Sequence, residues 1–336
     1  MPLPKKTTIK DVAARAGCGI ATASRVLNKS GPASEAVRQR VEAAARELDF
    51  SFNAMGRALR SRKSRTIGCL VPSLANPVFA DAVQGVQQEL QAEGYQLLLT
   101  CSNYDGAEDE RAIRLLLEKQ VEGLVLTVTD VHKVAALDLV RRAGIPCWLM
   151  FNPPSGAFAS AYIDNHAAAA GVASAFAAAG HRKAAFLALR LGSSDRSRQR
   201  LEGFVEGCAR YGMAPPEVLE IDESAADLPE RLGALLAAHP EVTGLFASND
   251  FLALAAIRAA RQIGRSVPES LSVVGFDGIA IGRMFDPSLA TIETSPGSLG
   301  RRAAGGVLCL LAGGQAPEAG PLPFHFRPGG SLRAPG

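Results

Sequence analysis

Residues 8–28 read TIKDVAARAGCGIATASRVLN, and the parsing of this stretch decides what kind of chain follows. Ile9, Val12, Ala13 and Ala16 recur at helical spacing, with Thr8 as N-cap and Asp11 in the first turn. Gly17 ends that helix. After the turn Gly17-Cys18-Gly19 the pattern predicts a second helix from about Ile20 to Asn28, burying Ala23, Val26 and Leu27. Its outer face carries Ile20, Ala21, Ser24, Arg25 and Asn28, small, polar and basic side chains in place of long charged ones. Ser34 then starts a third helix whose stripe is Val37, Val41, Ala44, Ala45 and Leu48. Three short helices with a tight glycine turn between the first two make a helix-turn-helix headpiece.

In such a headpiece the start of the second helix enters the major groove. Ile20 and Ala21 would meet base edges through methyl groups and shape, while Arg25 can pair bidentately with guanine. Thr22, Ser24 and Asn28 suit phosphate oxygens, which position the helix without reading sequence. The charge distribution agrees. The whole chain is only +3, yet residues 1–65 hold 14 Lys and Arg against five Asp and Glu, a net +9, and the remaining 22 basic and 28 acidic side chains give −6. A basic head on an acidic body places the polyanion-binding surface at the N-terminus, and a merely solvated basic tail would lack the apolar periodicity.

Residues 53–59, NAMGRAL, have helical periodicity over only about two turns and contain Gly56, so a helix there is marginal alone. Residues 60–65, RSRKSR, form a basic connector. Beyond Arg65 strands and helices alternate: a strand at Ile67–Val71, a helix over Val78–Ala92, a strand at Tyr95–Thr100, a helix over Glu108–Lys119, a strand at Gly123–Thr127, a helix near Val134–Arg142 and a strand at Ile145–Phe151. A second such unit starts at Tyr162, with strands near Ala184–Leu189, Val218–Ile221, Gly244–Ala247 and Ser272–Phe276. This α/β repetition predicts two lobes, each a doubly wound parallel sheet, with a cleft between them where a small ligand would sit.

Several other classes are disfavoured. No G-x-G-x-x-G follows the strand at Ile67, where Pro72-Ser73-Leu74-Ala75-Asn76 stands instead, so a dinucleotide-dependent enzyme is not supported and no cofactor is expected. His132, His166, His181, His239 and His325 are isolated, which gives no metal motif. The six cysteines form no C-x-x-C pair and suit a reducing cytoplasm. An exported sugar-binding protein would share the two lobes, but the basic head and the absence of an apolar leader after the N-terminal lysines speak against it. The most apolar helix, Ala167–Ala179, is shorter than the roughly 20 residues a membrane span needs.

The motifs TIKDVAARAG, ATASRVLN, VRQRVEAAARELDF, IGCLVPSLANPVF, SNDFLALAAIRA, LSVVGFDG and PSLATI together resemble the lactose-repressor (LacI/GalR) family of bacterial transcription regulators, along essentially the whole chain. VPSLANPVFADAVQG and the ending RPGGS look most like its gluconate-repressor branch. The resemblance implies a headpiece over 1–52, a hinge and linker over 53–65, and a two-lobed effector and dimerisation body over 66–336, with the first lobe at about 66–163 and 293–321 and the second at about 164–292 and 322–336. It implies an operator-binding homodimer, a sugar or sugar-acid effector, and a protein of the bacterial cytoplasm and nucleoid. Ile20 and Ala21 stand at the pair that selects the operator and Arg25 at the shared base-reading arginine. Asn53, Gly56 and Leu59 fall in the hinge that enters the minor groove, Leu59 at its wedge. Asn76 and Phe79 fall near the ligand in the first lobe; Arg198, Asn249 and Asp277 match effector contacts of the second. Arg198, with nearby Arg196 and Arg200, is the expected positive partner of an effector carboxylate; the alternative reading of Arg196 and Arg200 is as solvated helix residues, and Asp250 is read as the acidic start of a helix. The chain departs from the family at Gly19, where Ser or Thr usually caps the recognition helix, at Phe52 for proline, at Gly56 for alanine, and at Glu223, near where relatives place a stacking aromatic. No C-terminal heptads follow the last helix, so a dimer without further coiled-coil assembly is expected.

Overall fold

The computed structural model describes residues 7–28, 31–50, 64–133, 135–156, 158–189, 191–221, 226–315 and 320–335. Asn53, Gly56 and Leu59, with Phe52 and Glu223, lie outside the described residues. The chain divides into two compact units, 1–64 and 65–336.

The first unit holds three helices, α1 (Ile9–Arg15), α2 (Ile20–Leu27) and α3 (Glu35–Glu47). At the start of α1, Asp11 Oδ2 accepts hydrogen bonds from the Thr8 backbone N–H and hydroxyl at 2.8 and 2.7 Å, which satisfies one free donor of the helix entry. Gly17 takes a φ of +61°, the left-handed value that lets the chain turn out of α1 into α2. Gly19 caps α2 without any side-chain bond. Val12, Ala13, Ala16, Ala23, Val26, Val41 and Ala44 form the small core.

The second unit contains two sheets. The first has strand order β2-β1-β3-β4-β5, all parallel, from β1 (Thr66–Val71), β2 (Gln96–Cys101), β3 (Gly123–Leu126), β4 (Cys147–Met150) and β5 (Ser160–Ala161). Side chains alternate across it. Ile67, Cys69 and Val71 pack with α4 (Pro77–Ala92) and α11 (Pro296–Leu311), while Leu70 turns to α5 (Gly106–Glu118) and α6 (Ala136–Ala143). The second sheet runs β11-β10-β9-β8-β6-β7, from β6 (Ala184–Leu189), β7 (Glu217–Ile221), β8 (Gly244–Ala247), β9 (Ser272–Asp277), β10 (Ala290–Glu293) and β11 (His325–Arg327). Only β11 is antiparallel there. α7 (Asn165–Ala178) and α8 (Asp195–Arg210) cover one face, α9 (Leu228–Ala238) and α10 (Asp250–Gln262) the other. α8 is pulled close onto α7 because position 203 is glycine: a Cβ there would stand 2.1 Å from the His166 carbonyl oxygen.

The lobe boundaries shift slightly from expectation. Glu293 belongs to the second sheet through β10, and Leu322 joins the core of the first lobe, its N–H donating to Tyr162 O at 2.7 Å. Among the described residues no helix is long and apolar enough to cross a membrane.

Candidate functional site

Two regions of the chain gather chemistry. On α2, Ile20, Ala21 and Arg25 are exposed, Ile20 at 47%, a level that leaves a large aliphatic side chain in solvent at the helix start. Arg25 Nη2 lies 3.4 Å from Thr22 Oγ1 and makes no ion pair with an acid among the described residues. Ser24 differs from expectation. It is 7% exposed, and its hydroxyl and carbonyl receive Asn28 Nδ2 at 3.2 and 2.8 Å. With about 100° per residue, position 24 falls midway between Leu27 on the core side and Ala21 on the open side. Ser24 orders the end of the helix through Asn28, and Ile20, Ala21 and Arg25 remain exposed with Thr22 half-buried beside them.

The other region is the cleft between the sheets, lined by residues at or just after the carboxyl ends of strands, as a parallel α/β sheet dictates. The first lobe contributes Asn76, Val78 and Phe79 after β1, Tyr104 after β2 and Phe151 after β4. Phe79 meets Tyr104 edge-on at 6.4 Å and Phe151 at 5.1 Å, giving this side an aromatic wall. The second lobe is polar: Ser193, Ser194, Arg196, Ser197, Arg200, Ser248, Asn249 and Asp277. Asn76 and Asn249 are both helix caps, their Oδ1 atoms accepting from Val78 N at 3.2 Å and Leu252 N at 2.8 Å. That fixes each amide and leaves its NH2 as the group to turn toward the cleft.

Three of the expected second-lobe residues therefore resolve differently. Asn249 and Asp277 line the cleft; Arg198 does not. Its Nη2 is 2.5 Å from Asp130 Oδ2 and its Nη1 donates to Leu191 O at 2.8 Å. The arginines that line the cleft are Arg196 and Arg200, 4% and 9% exposed and so the reverse of solvated. Their spacing held the signal. Arg196, Arg200, Gly203, Phe204, Gly207 and Cys208 form one buried stripe of α8, and Arg198 is turned by about 200° from Arg196. Tyr104, Phe151 and the serines were also missed, because only the sheet topology brings their loops to one place.

Arg200 is held on all sides. Its Nε donates to Asn165 Oδ1 at 2.8 Å, its Nη1 to the Ser248 carbonyl, its plane lies 3.5 Å above the Phe276 ring centre, and its Nη2 stands 3.7 Å from Asp277 Oδ1. Burial lowers it to about 10, opposed by Asp277, so it stays charged. Asp277 has a φ of +119°, a strained value for a non-glycine residue, and its carbonyl is pinned by Thr294 N at 3.2 Å and Thr294 Oγ1 at 2.9 Å. Burial raises its carboxyl to about 7 against the pull of Arg200, and a side-chain hydrogen bond from Asn76 reaches it across the cleft. Asp250 does more than open α10. It is fully buried and accepts from Gly278 N and Ile279 N at 2.8 Å each and from Thr291 Oγ1 at 2.5 Å, so it shapes the loop that carries Asp277. Burial raises it to about 6.

A seam beside the cleft ties the lobes together. Asp195 N donates to Thr129 O at 3.0 Å and Asp195 Oδ2 accepts from Asn152 Nδ2 at 2.8 Å. Arg196 Nη1 donates to Val128 O at 2.8 Å, and Arg198 pairs with Asp130. Burial pushes Asp130 up, but the His132 N–H, Arg198 and Lys133 outweigh it and hold the carboxyl below its usual range. The start of α8 thus touches both the ligand space and the opposite lobe. No group of His, Cys, Asp and Glu among the described residues is arranged to hold a metal.

A helix-turn-helix head joined in one chain to a two-lobed ligand-binding body defines a class of protein, the effector-controlled bacterial transcription regulators. The chain belongs to the LacI family: residues 8–53 match the bacterial regulatory proteins of that family, and residues 173–332 match the periplasmic binding protein-like domain. The HTH-type transcriptional regulator GntR of Escherichia coli K12 is 31% identical over 331 residues, 98% of this chain and 99% of that protein. GntR of Pseudomonas aeruginosa is 34% identical over 312 residues, 92% and 90% of the two chains. Among solved structures, the lac repressor dimer bound to operator and the anti-inducer ONPF superposes with a TM-score of 0.85 at 26% identity, covering 98% of this chain and all of that one. The complex of the regulator CelR with cellobiose gives 0.71 at 27%, covering 97% and 100%. The chain is a DNA-binding, effector-binding transcription regulator of the LacI family and not an enzyme.

Proposed function

We propose that the chain acts as a homodimeric repressor of a sugar or sugar-acid catabolic operon, in the cytoplasm and at the nucleoid, and that a ligand in the cleft between the lobes sets its operator affinity. The observation that carries this reading is the seam at the start of α8, where residues next to the cleft, Asp195 and Arg196, bond to Thr129, Asn152 and Val128 of the opposite lobe. A ligand touching Arg196 or Asp277 acts on the same bonds that set the relation of the lobes. Differential binding to two lobe arrangements is then passed through residues 53–65 to the headpieces, a coupling of about 1 to 3 kcal/mol in proteins of this kind. On DNA, two headpieces meet a near-palindromic site. Ile20 and Ala21 set methyl and shape contacts, Arg25 reads a base, Thr22 and Asn28 hold phosphates, and Asn53, Gly56 and Leu59 serve at the minor groove. In the cleft, Phe79 packs on the ligand's apolar face while Asn76, Asn249 and Asp277 orient hydroxyls. The likeness to the complex of CelR with cellobiose supports a sugar as ligand.

The test is a DNA fragment selected from a random pool by the purified protein, titrated with and without a panel of sugars and sugar acids. Preference for the selected site over random DNA, changed at least fivefold by one panel member, is the expected result. Equal binding to both DNAs, or no change with any ligand, contradicts the proposal.

A further inference from the structure

The feature of the cleft that its general role leaves unused is the second arginine. Arg200 is bonded at every nitrogen except Nη2, which comes only within 3.7 Å of Asp277. Arg196 is similarly occupied at Nη1, by Val128 O at 2.8 Å and Asp195 Oδ1 at 3.1 Å, but its Nη2 has no hydrogen-bond partner among the described residues although the side chain is 4% exposed. Ser248 Oγ, on the same wall and 1% exposed, is also without a partner. A buried guanidinium donor that bonds nothing is costly, and folding alone gives no reason to place it there.

Position supplies the reason. Arg196 and Arg200 are one turn apart on the inward stripe of α8, where side chains at i and i+4 are neighbours. Two like charges at that spacing repel, and the charge of Arg196 contributes to the lowering of Arg200. The repulsion is only partly answered by protein carboxylates. Asp195 spends one oxygen on Asn152 and the other on Arg196, Asp250 is consumed by Gly278, Ile279 and Thr291, and Asp277 is held toward its neutral form. An oxyanion lying between the two guanidinium groups converts the repulsion into two charge-assisted bonds and takes up the free Nη2. The hydroxyls of Ser194 and Ser197 line the same corner, and the aromatic wall of Phe79, Tyr104 and Phe151 faces it across the cleft.

We infer that Arg196 and Arg200 together form a subsite for one anionic group of the effector, a carboxylate or a phosphate, and that Arg196 makes the cleft select an acid over the neutral sugar of the same skeleton. This rests on the cleft being the effector site. It also gives the anion a direct hold on the lobes. Arg196 is itself fastened to Val128 O of the first lobe, so the group that neutralises it sits on the strap between them.

The experiment is calorimetric titration of the full chain with matched triplets, each a neutral sugar, its sugar acid and its phosphate monoester, beginning with D-glucose, D-gluconate and D-glucose 6-phosphate. In the wild type at least one acid or ester should bind 30-fold or more tightly than its neutral parent. Preference for the acid identifies a carboxylate and preference for the ester a phosphate. If no acid or ester exceeds its neutral parent, the inference is overturned. Arg196→Gln should bring the ratio to within threefold, and Arg196→Lys, which keeps charge without the planar fork, should retain part of it. A ratio unchanged in Arg196→Gln, or lost equally in both variants, removes Arg196 from the role. Should Arg196→Gln fail to fold, Arg196→Lys and the wild-type triplets still decide. Acids that bind with the expected preference yet leave operator affinity unchanged would leave the subsite standing and remove the effector reading.

Discussion

Two helices of this protein carry arginines for opposite purposes. On α2, Arg25 is exposed and bonded only loosely to Thr22. On α8, Arg196 and Arg200 are buried and held by six neighbours, while Arg198 two residues away from each is spent on Asp130. In the proposed role Arg25 adapts to a partner that arrives from solvent, and its one long bond, to Thr22, leaves it able to do so. The cleft arginines, proposed to discriminate small molecules, have their geometry fixed in advance and their desolvation offset by the fold.

That contrast can be broken by mutation, and the largest effect should come from Arg200→Ala. It leaves Asn165 Oδ1 and the Ser248 carbonyl unbonded and Asp277 without its cation, which should cost about 3 to 5 kcal/mol of stability, read by denaturant unfolding. Arg25→Ala should leave stability nearly untouched and lower specific DNA affinity by about 1 to 3 kcal/mol, read as the ratio of operator to random-DNA binding. A change in unfolding midpoint comparable to that of Arg200→Ala would erase the distinction between the helices.

A smaller effect sharpens the account of the cleft. Asp277 is raised by burial to about 7 in the folded protein, with Arg200 and Arg196 opposing, Asp250 reinforcing and Asn76 bonded to it. The folded state then holds a proton that the unfolded chain has already released, so this carboxyl's contribution to stability falls as pH rises through about 7. Asp277→Asn should flatten the loss of stability between about pH 4 and pH 7. The affinity of an acidic ligand should weaken as the folded carboxyl ionises around pH 7, because ionised Asp277 repels it and competes for Arg200. Identical pH profiles in the two proteins would contradict this. The smallest effect belongs to Arg198→Ala. Its pair with Asp130 is partly exposed and Lys133 remains 3.6 Å from the same carboxylate, so stability should drop by about 1 kcal/mol or less and ligand affinity should stay within threefold.

The same contrast explains what could be read before the structure. The headpiece is local: its helices are set by Thr8, Asp11, Gly17 and a periodic core, all between Thr8 and Ala44, so sequence spacing recovered it. Ser24, read as part of the outer face, is buried at the boundary between the core arc and the open face. The alternation of strands and helices likewise revealed both sheets. The cleft is not local. Its walls come from six separated segments, and which of three closely spaced arginines points inward depends on α8 lying against α7 through Gly203. Family likeness drew attention to Arg198, whereas the buried stripe through Phe204 and Gly207 leads to Arg196 and Arg200. Asp250 was read as a helix start because its partners, Gly278, Ile279 and Thr291, are at least 28 residues distant.

The central claim is that occupancy of the cleft controls DNA binding by the head. Its most direct test is fluorescence anisotropy of a labelled, selected operator titrated with the full chain, alone and with a saturating ligand identified by calorimetry. The account predicts that the ligand moves operator affinity by about 5- to 150-fold, in either direction. It also predicts that Arg200→Lys, which keeps the charge but loses the fork, abolishes that shift. An operator affinity that is the same with the cleft filled and empty would contradict the account.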